Sequence, residues 1–187
     1  MSRPYDRIMQ SHSPEELNFV RIPRTNPCIT TILDRAPQLG LSEWYLTVGA
    51  VFQTVWNHLD GRDPQSGIND YDVIRKADAL FDDLDVRVEV RNEARVNLWY
   101  EDHFGVSSTP FTDCKDAIDH FASTTCCYGI RRTPSGDDEI YAPHGFADLF
   151  DMILRPNPVL APREVYESKA ARWQREWPRL TVVPWPD

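Results

Sequence analysis

The sequence predicts an α+β fold in which helices flank a small mixed sheet, and three observations carry that prediction. Short runs of strand-forming residues, "WYLTV", "DYDVI" and "DVRVEV", alternate along the chain with segments of helical period. Two segments near the N-terminus carry complete helix-start signals. No internal repeat or low-complexity tract interrupts the pattern. With 187 residues and 41% hydrophobic content, the chain has apolar surface for one substantial core. The reading is therefore a single domain over 1–187, with a helical N-terminal segment over 13–40 and a core over about 41–180.

The elements follow in order. "SPEEL" from Ser13 offers an N-cap, Pro14 at the first helical position and Glu16 at the third, a capping box. "NPCITTILDRAPQLG" repeats the device, with Asn26 as cap and an apolar stripe of Ile29, Ile32 and Leu33; Gly40 closes the segment and Pro37 stops the helix before it. Trp44 to Val48 is too short for a helix and reads as a strand, and the segment from Ala50 to Leu59 returns apolar residues at helical spacing, with Gly49 at the junction. A polar loop leads to "DYDVI" as a strand, "RKADALFDDL" as a short helix and "DVRVEV" as a strictly alternating strand. Further on come a strand over Val96 to Tyr100, a helix from Cys114 to Thr124, a strand over Tyr128 to Arg132 and a turn at "TPSGDD". "EIYAPHGFADLFDMILRPNP" gives a strand and a short helix that ends ahead of Pro156, and the closing helix carries Trp173 and stops near Pro178.

Composition excludes several classes of function. No run approaches the length of a membrane span, and "MSRPYDRIMQSHSPEE" lacks the apolar centre of a secretion signal, so the expected location is cytoplasmic. The four cysteines (Cys28, Cys114, Cys126, Cys127) show no disulfide framework and read as reduced thiols. A net charge of -9 with dispersed Lys and Arg argues against broad nucleic-acid binding and favours a small substrate.

Candidate chemistry begins at "GINDYDVI". A strand period of two puts Asp70 and Asp72 on one face, with Tyr71 and Val73 on the other. On "DVRVEV" the same period puts Arg87, Glu89 and Arg91 opposite Val86, Val88 and Val90, so alignment of the two strands would make Glu89 a third carboxylate beside the pair. Like charges this close repel unless a cation lies between them, and hard oxygen ligands suit Mg²⁺ (or Mn²⁺). The competing reading of Asp-x-Asp is a solvated surface pattern or a turn cap. Gly49, where a strand becomes a helix, allows backbone N–H groups to approach a phosphate; the competing reading is a tight packing turn. Arg91, Asn92 and Arg95 follow Glu89, and these arginines either clamp a triphosphate or pair with surplus acids. Cys114, His120, Cys126 and Cys127 could be assembled into a zinc site, but their spacing matches no standard pattern and the cysteines read as buried thiols. His103 and His144 read as structural, and Trp44, Trp56, Trp99, Trp173 and Trp177 as core or helix anchors.

Taken together, "WYLTVGAVFQTVWNHLDG", "GINDYDVI", "VRVEVRNEARVNLWYEDHFG", "EIYAPHGFADLFDMILRPNP" and "WQREWPRL" resemble a bacterial family of nucleotidyltransferase-like proteins within the DNA polymerase beta superfamily, over about Leu41 to Leu180. The resemblance implies a polymerase-beta-like fold and a glycine turn at Gly49 and Ala50. It also implies a metal-binding and catalytic set of Asp70, Asp72 and Glu89. Ala50 stands where that superfamily has Ser or Gly, and the connection from Asp72 to Glu89 is short. The expected activity is transfer of a nucleoside monophosphate from a nucleoside triphosphate to an unknown acceptor. The rival expectation is a non-catalytic relative that binds a nucleotide or a partner protein.

Overall fold

The computed structural model describes residues 13–40, 44–47, 49–74, 88–91 and 110–187, with the backbone alone at 39, 74 and 88–91. The N-terminal signals act as the sequence predicts. In α1 (Pro14–Arg21) the Glu16 N–H donates to Ser13 Oγ at 3.1 Å while the Ser13 N–H donates to the Glu16 carboxylate at 2.6 Å, completing the capping box. In α2 (Pro27–Arg35) Asn26 Oδ1 accepts from the N–H groups of Cys28 and Ile29. The chain then tightens into a 3₁₀ turn over Ala36–Leu39, and Gly40 ends it in the left-handed conformation that glycine adopts without penalty.

β1 (Tyr45–Thr47) runs through Gly49 into α3 (Gly49–Leu59). Two further strands, β2 (Tyr71–Ile74) and β3 (Val88–Arg91), lie to one side of β1, and β4 (Gly129–Arg132) and β5 (Asp138–Tyr141) to the other. The order is β3-β2-β1-β4-β5, mixed because β2 and β3 are parallel and the other pairs antiparallel. Leu46, Val73 and Ile130, neighbours in the ladder, are fully buried with α3 behind them. On the opposite face Tyr45 packs with Cys114 and Ile118 of α4 (Cys114–Asp119) and with Cys127.

α3 is buried all round from Gly49 to Asn57, a pattern wider than the stripe the sequence shows, because it is enclosed between the sheet and the C-terminal α6 (Arg163–Glu176). Phe52 and Trp56 meet edge to face at 4.8 Å, Phe52 and Trp173 at 5.0 Å, and Trp56 and Trp177 at 5.5 Å. The indole N–H of Trp177 donates to Asn57 Oδ1 at 2.9 Å, and that of Trp56 to the Leu149 carbonyl at 3.2 Å.

Three elements depart from the sequence reading. The helix expected over Cys114 to Thr124 ends at Asp119, because Asn157 Nδ2 takes the carbonyls of Asp119 and Phe121 at 2.8 Å each and Ser123 bridges to Pro156. Following α5 (Ala147–Phe150), a two-residue parallel pair of β6 (Ile153–Leu154) and β7 (Thr181–Val182) forms, too short to leave a period; the Tyr166 hydroxyl lies against the adjacent carbonyls of Leu154 and Val183. β2 starts at Tyr71, so Asp70 precedes the strand. The helix read over "RKADALFDDL", the strand over Val96 to Tyr100, and Asn92, Arg95, Trp99 and His103 lie outside the described residues. Among the described residues no helix is long and apolar enough to cross a membrane.

Asn26 does more than cap α2. Fully buried, it also turns Nδ2 toward Thr54 Oγ1 (3.2 Å), the Tyr71 hydroxyl (3.0 Å) and the Pro64 carbonyl (3.4 Å), joining α2, α3, the following loop and β2. Asn26→Ala removes a cap and leaves buried groups unpaired, so it is expected to cost about 2 to 4 kcal/mol in urea denaturation. A loss below about 0.5 kcal/mol would mean that this network does not hold the elements together.

Candidate active site

The site is built where β1 turns into α3. Gly49 opens the helix, and a side chain there would have its Cβ 3.1 Å from Gln53 Nε2 and 3.6 Å from Asp70 Oδ1. The bare backbone at Gly49 thus leaves a small space bounded by an amide and a carboxylate, at the positive end of a helix. Ala50 is fully buried in the core, so its methyl packs inward and the group it offers at the turn is its backbone N–H.

Asp70 reaches this space because its loop is fixed to α3. Asn57 Nδ2 donates to the carbonyls of Pro64 at 3.2 Å and Ser66 at 2.7 Å, and Thr54 Oγ1 lies 3.3 Å from that same Pro64 carbonyl. The end of α6 holds the loop from outside: Arg62 donates to the Glu176 carbonyl at 2.9 Å, pairs with the Glu176 carboxylate, and lies over the Trp177 ring at 5.5 Å. Tyr71 and Val73 are both buried, anchoring β2, and Asp72 between them lies on the opposite face, partly buried. Burial raises the Tyr71 pKa, keeping its hydroxyl protonated against Asn26.

Asp72 is the ladder partner of Thr47 across the antiparallel pair and of Glu89 across the parallel one. The backbone register therefore brings Glu89 directly beside Asp72; Arg91 lies at the end of β3 opposite Ile74. Two polar side chains absent from the sequence reading also border the turn. Thr47 is fully buried and Gln53 is 3% exposed; Thr47 Oγ1 and Gln53 Oε1 have no hydrogen-bond partner among the described residues. The available sequence signal is a Gln one helical turn after Gly49, amid Ala50, Val51, Phe52 and Val55.

The other candidates fall elsewhere. Cys114, Cys126 and Cys127 are buried free thiols, and burial pushes Cys126 up to about 12 and Cys127 upward as well. His120 Nδ1 lies 2.7 Å from the Asp116 carbonyl, within α4 and its cap. His144 is exposed on its loop. Among the described residues no three His, Cys, Asp or Glu side chains form a metal cluster, although the Glu89 side chain lies outside that description.

The Gln53 amide and the Asp70 carboxylate thus stand beside the Gly49 turn, and Thr47 and Asp72 are register partners in the adjoining ladder. Comparisons with known proteins give the family and the fold. The family model described as nucleotidyltransferase matches residues 34–75 and 73–182, and the chain belongs to that family. A solution NMR structure, described as revealing a CCA-adding enzyme head domain, matches with a TM-score of 0.72 and 23% identity, covering 90% of this chain and 96% of that one. The likeness shows that the two share a fold, the nucleotidyltransferase fold in its α+β form. No curated protein matches the sequence.

If the Gly49 turn receives a phosphate, Gly49→Val, which places two methyls between Gln53 and Asp70, is expected to abolish detectable binding of Mg²⁺ and a nucleoside triphosphate in calorimetric titration, with about 1 to 3 kcal/mol lost in stability. Gly49→Ala is expected to retain weakened binding, since the Gln53 amide end needs to yield only a few tenths of an ångström. Equal affinity for wild type and Gly49→Val would place the ligand elsewhere.

Proposed function

We propose that the protein is a metal-dependent nucleotidyltransferase that moves a nucleoside monophosphate from a nucleoside triphosphate to an acceptor hydroxyl or similar nucleophile. The observation that carries this reading is Asp70 Oδ1 standing 3.6 Å from where a Gly49 Cβ would be, a carboxylate beside bare backbone at a helix N-terminus. Family membership supports the reaction class.

Asp70 and Asp72 supply hard oxygen ligands suited to Mg²⁺ or Mn²⁺, and Glu89, at the adjacent register position, completes the set or takes the acceptor's proton. When bound, the cation neutralises charge on the triphosphate and on the departing pyrophosphate. The N–H groups of the Gly49 turn hold the phosphate chain, and Arg91 and Arg95 serve as cationic contacts from the strand and segment beyond Glu89. The acceptor oxygen attacks the α-phosphorus, a new P–O bond forms, the bond to the bridging oxygen breaks, and pyrophosphate leaves with the electron pair. Positioning and charge neutralisation account for the rate, and the loop network of Asn57, Asn26 and Arg62 supplies rigidity to the acids.

The test is the double variant Asp70→Asn, Asp72→Asn. Its affinity for a Mg²⁺–triphosphate complex is expected to fall by at least about tenfold. In EDTA its melting temperature is expected to stay the same or rise, because clustered carboxylates repel when no cation separates them. If wild type binds no triphosphate at millimolar concentration with either metal, the activity is wrong and the acidic face belongs to a partner interface.

A further inference from the structure

We propose that Gln53 is a positioning residue that couples the cation to the phosphate chain, with the Thr47 hydroxyl as its companion on the sheet side. The inference rests on the proposed function, which it deepens by naming who holds the water on the metal. Gln53 is almost wholly buried in α3, one turn after Gly49, and its two ends differ. The Nε2 end lies 3.1 Å from the point where a Gly49 Cβ would stand, the same point that Asp70 Oδ1 approaches at 3.6 Å. The Oε1 end is buried and accepts no hydrogen bond among the described residues. A buried carbonyl without a donor is destabilising, so the fold tolerates here something that a ligand must supply.

The chemistry narrows what that ligand is. Oε1 can only accept, so its partner must donate. A carboxylate carries no donor, and a phosphate chelated to a metal carries none. Water on a divalent cation carries two, and Mg²⁺ sheds its waters reluctantly and keeps several of them when carboxylates bind it. A water on a cation held by Asp70 and Asp72 would meet the need of Gln53 Oε1, while Nε2 would donate to a phosphate oxygen beside Gly49. Thr47 repeats the pattern on the strand. It is fully buried, its Oγ1 has no partner among the described residues, and it is the cross-strand neighbour of Asp72. A hydroxyl there can accept from a metal-bound water or donate to a ligand carboxylate. Groups that orient metal ligands in this way typically change metal affinity by about 10- to 100-fold when removed.

The experiment uses the full chain without nucleotide. Mn²⁺ binding is read from the spin resonance signal of free Mn²⁺ for wild type, Gln53→Met, Thr47→Val and the double variant Asp70→Asn, Asp72→Asn; melting temperature is read for each in EDTA. The expected result is a loss of Mn²⁺ affinity of about tenfold or more in Gln53→Met, and a smaller loss in Thr47→Val, with melting temperatures equal to or above wild type. Should Gln53→Met fail to fold, Thr47→Val, close to isosteric, carries the test alone. A lowered melting temperature with unchanged Mn²⁺ affinity shows a merely structural role and overturns the inference. If wild type binds Mn²⁺ and the double aspartate variant does not, while Gln53→Met and Thr47→Val match wild type, only the coupling role fails. If wild type binds neither Mn²⁺ nor triphosphate, the proposed function fails and this inference with it.

Discussion

The carbonyl oxygen of Pro64 is the point at which this architecture closes. Asn26 Nδ2, Thr54 Oγ1 and Asn57 Nδ2 all approach it, at 3.4, 3.3 and 3.2 Å, from the cap of the second helix and two successive turns of the third. An irregular loop carries unpaired backbone groups that water or protein must satisfy, and here buried side chains satisfy them. The consequence is geometric: a loop tied at Pro64 and Ser66 delivers Asp70 at a fixed place, and Tyr71 then enters the sheet with its hydroxyl on the same asparagine. The candidate site inherits its precision from these bonds.

Rigidity on one side of α3 contrasts with unmet polarity on the other. Behind the helix, Phe52, Trp56, Trp173 and Trp177 interlock edge to face, and Asn57 ties the helix to Trp177. At its front end Gln53 Oε1, and at the end of β1 Thr47 Oγ1, stand buried with no partner among the described residues. A sequence selected for stability alone would place apolar groups at both positions. Stability is instead lowered locally at the turn where Gly49 and Asp70 meet, and the aromatic packing behind offsets that loss.

Much of the fold was legible because its signals are local. Ser13 with Glu16, and Asn26 with Pro27, mark helix starts through contacts three residues apart, and they act in the structure as written in the chain. The alternation at Tyr71, Asp72 and Val73 separates core from site for the same reason. What escaped the sequence is tertiary. Asn157, far along the chain, ends α4 by donating to the carbonyls of Asp119, its last residue, and of Phe121 just beyond, and no pattern near Asp119 announces this. The β6 and β7 pair is too short to have a period. For the candidate site, Gly49 and the acids can be singled out as candidates from residue type and spacing. Thr47 and Gln53 cannot, since a polar residue within a mainly apolar segment has significance only once its surroundings are known to lack a partner for it.

The central claim is that a divalent cation and a nucleotide phosphate meet at the Gly49 turn. Residue-resolved amide spectra recorded with substoichiometric Mn²⁺ test it most directly, because paramagnetic broadening falls steeply with distance from the ion. The account predicts that the amides of Gly49, Ala50, Asp70 and Tyr71 broaden first, and that Mg²⁺ with a triphosphate restores their signals by competition. Broadening centred on another acidic stretch, such as Asp113 to Asp119, with Gly49 and Asp70 untouched, would contradict it.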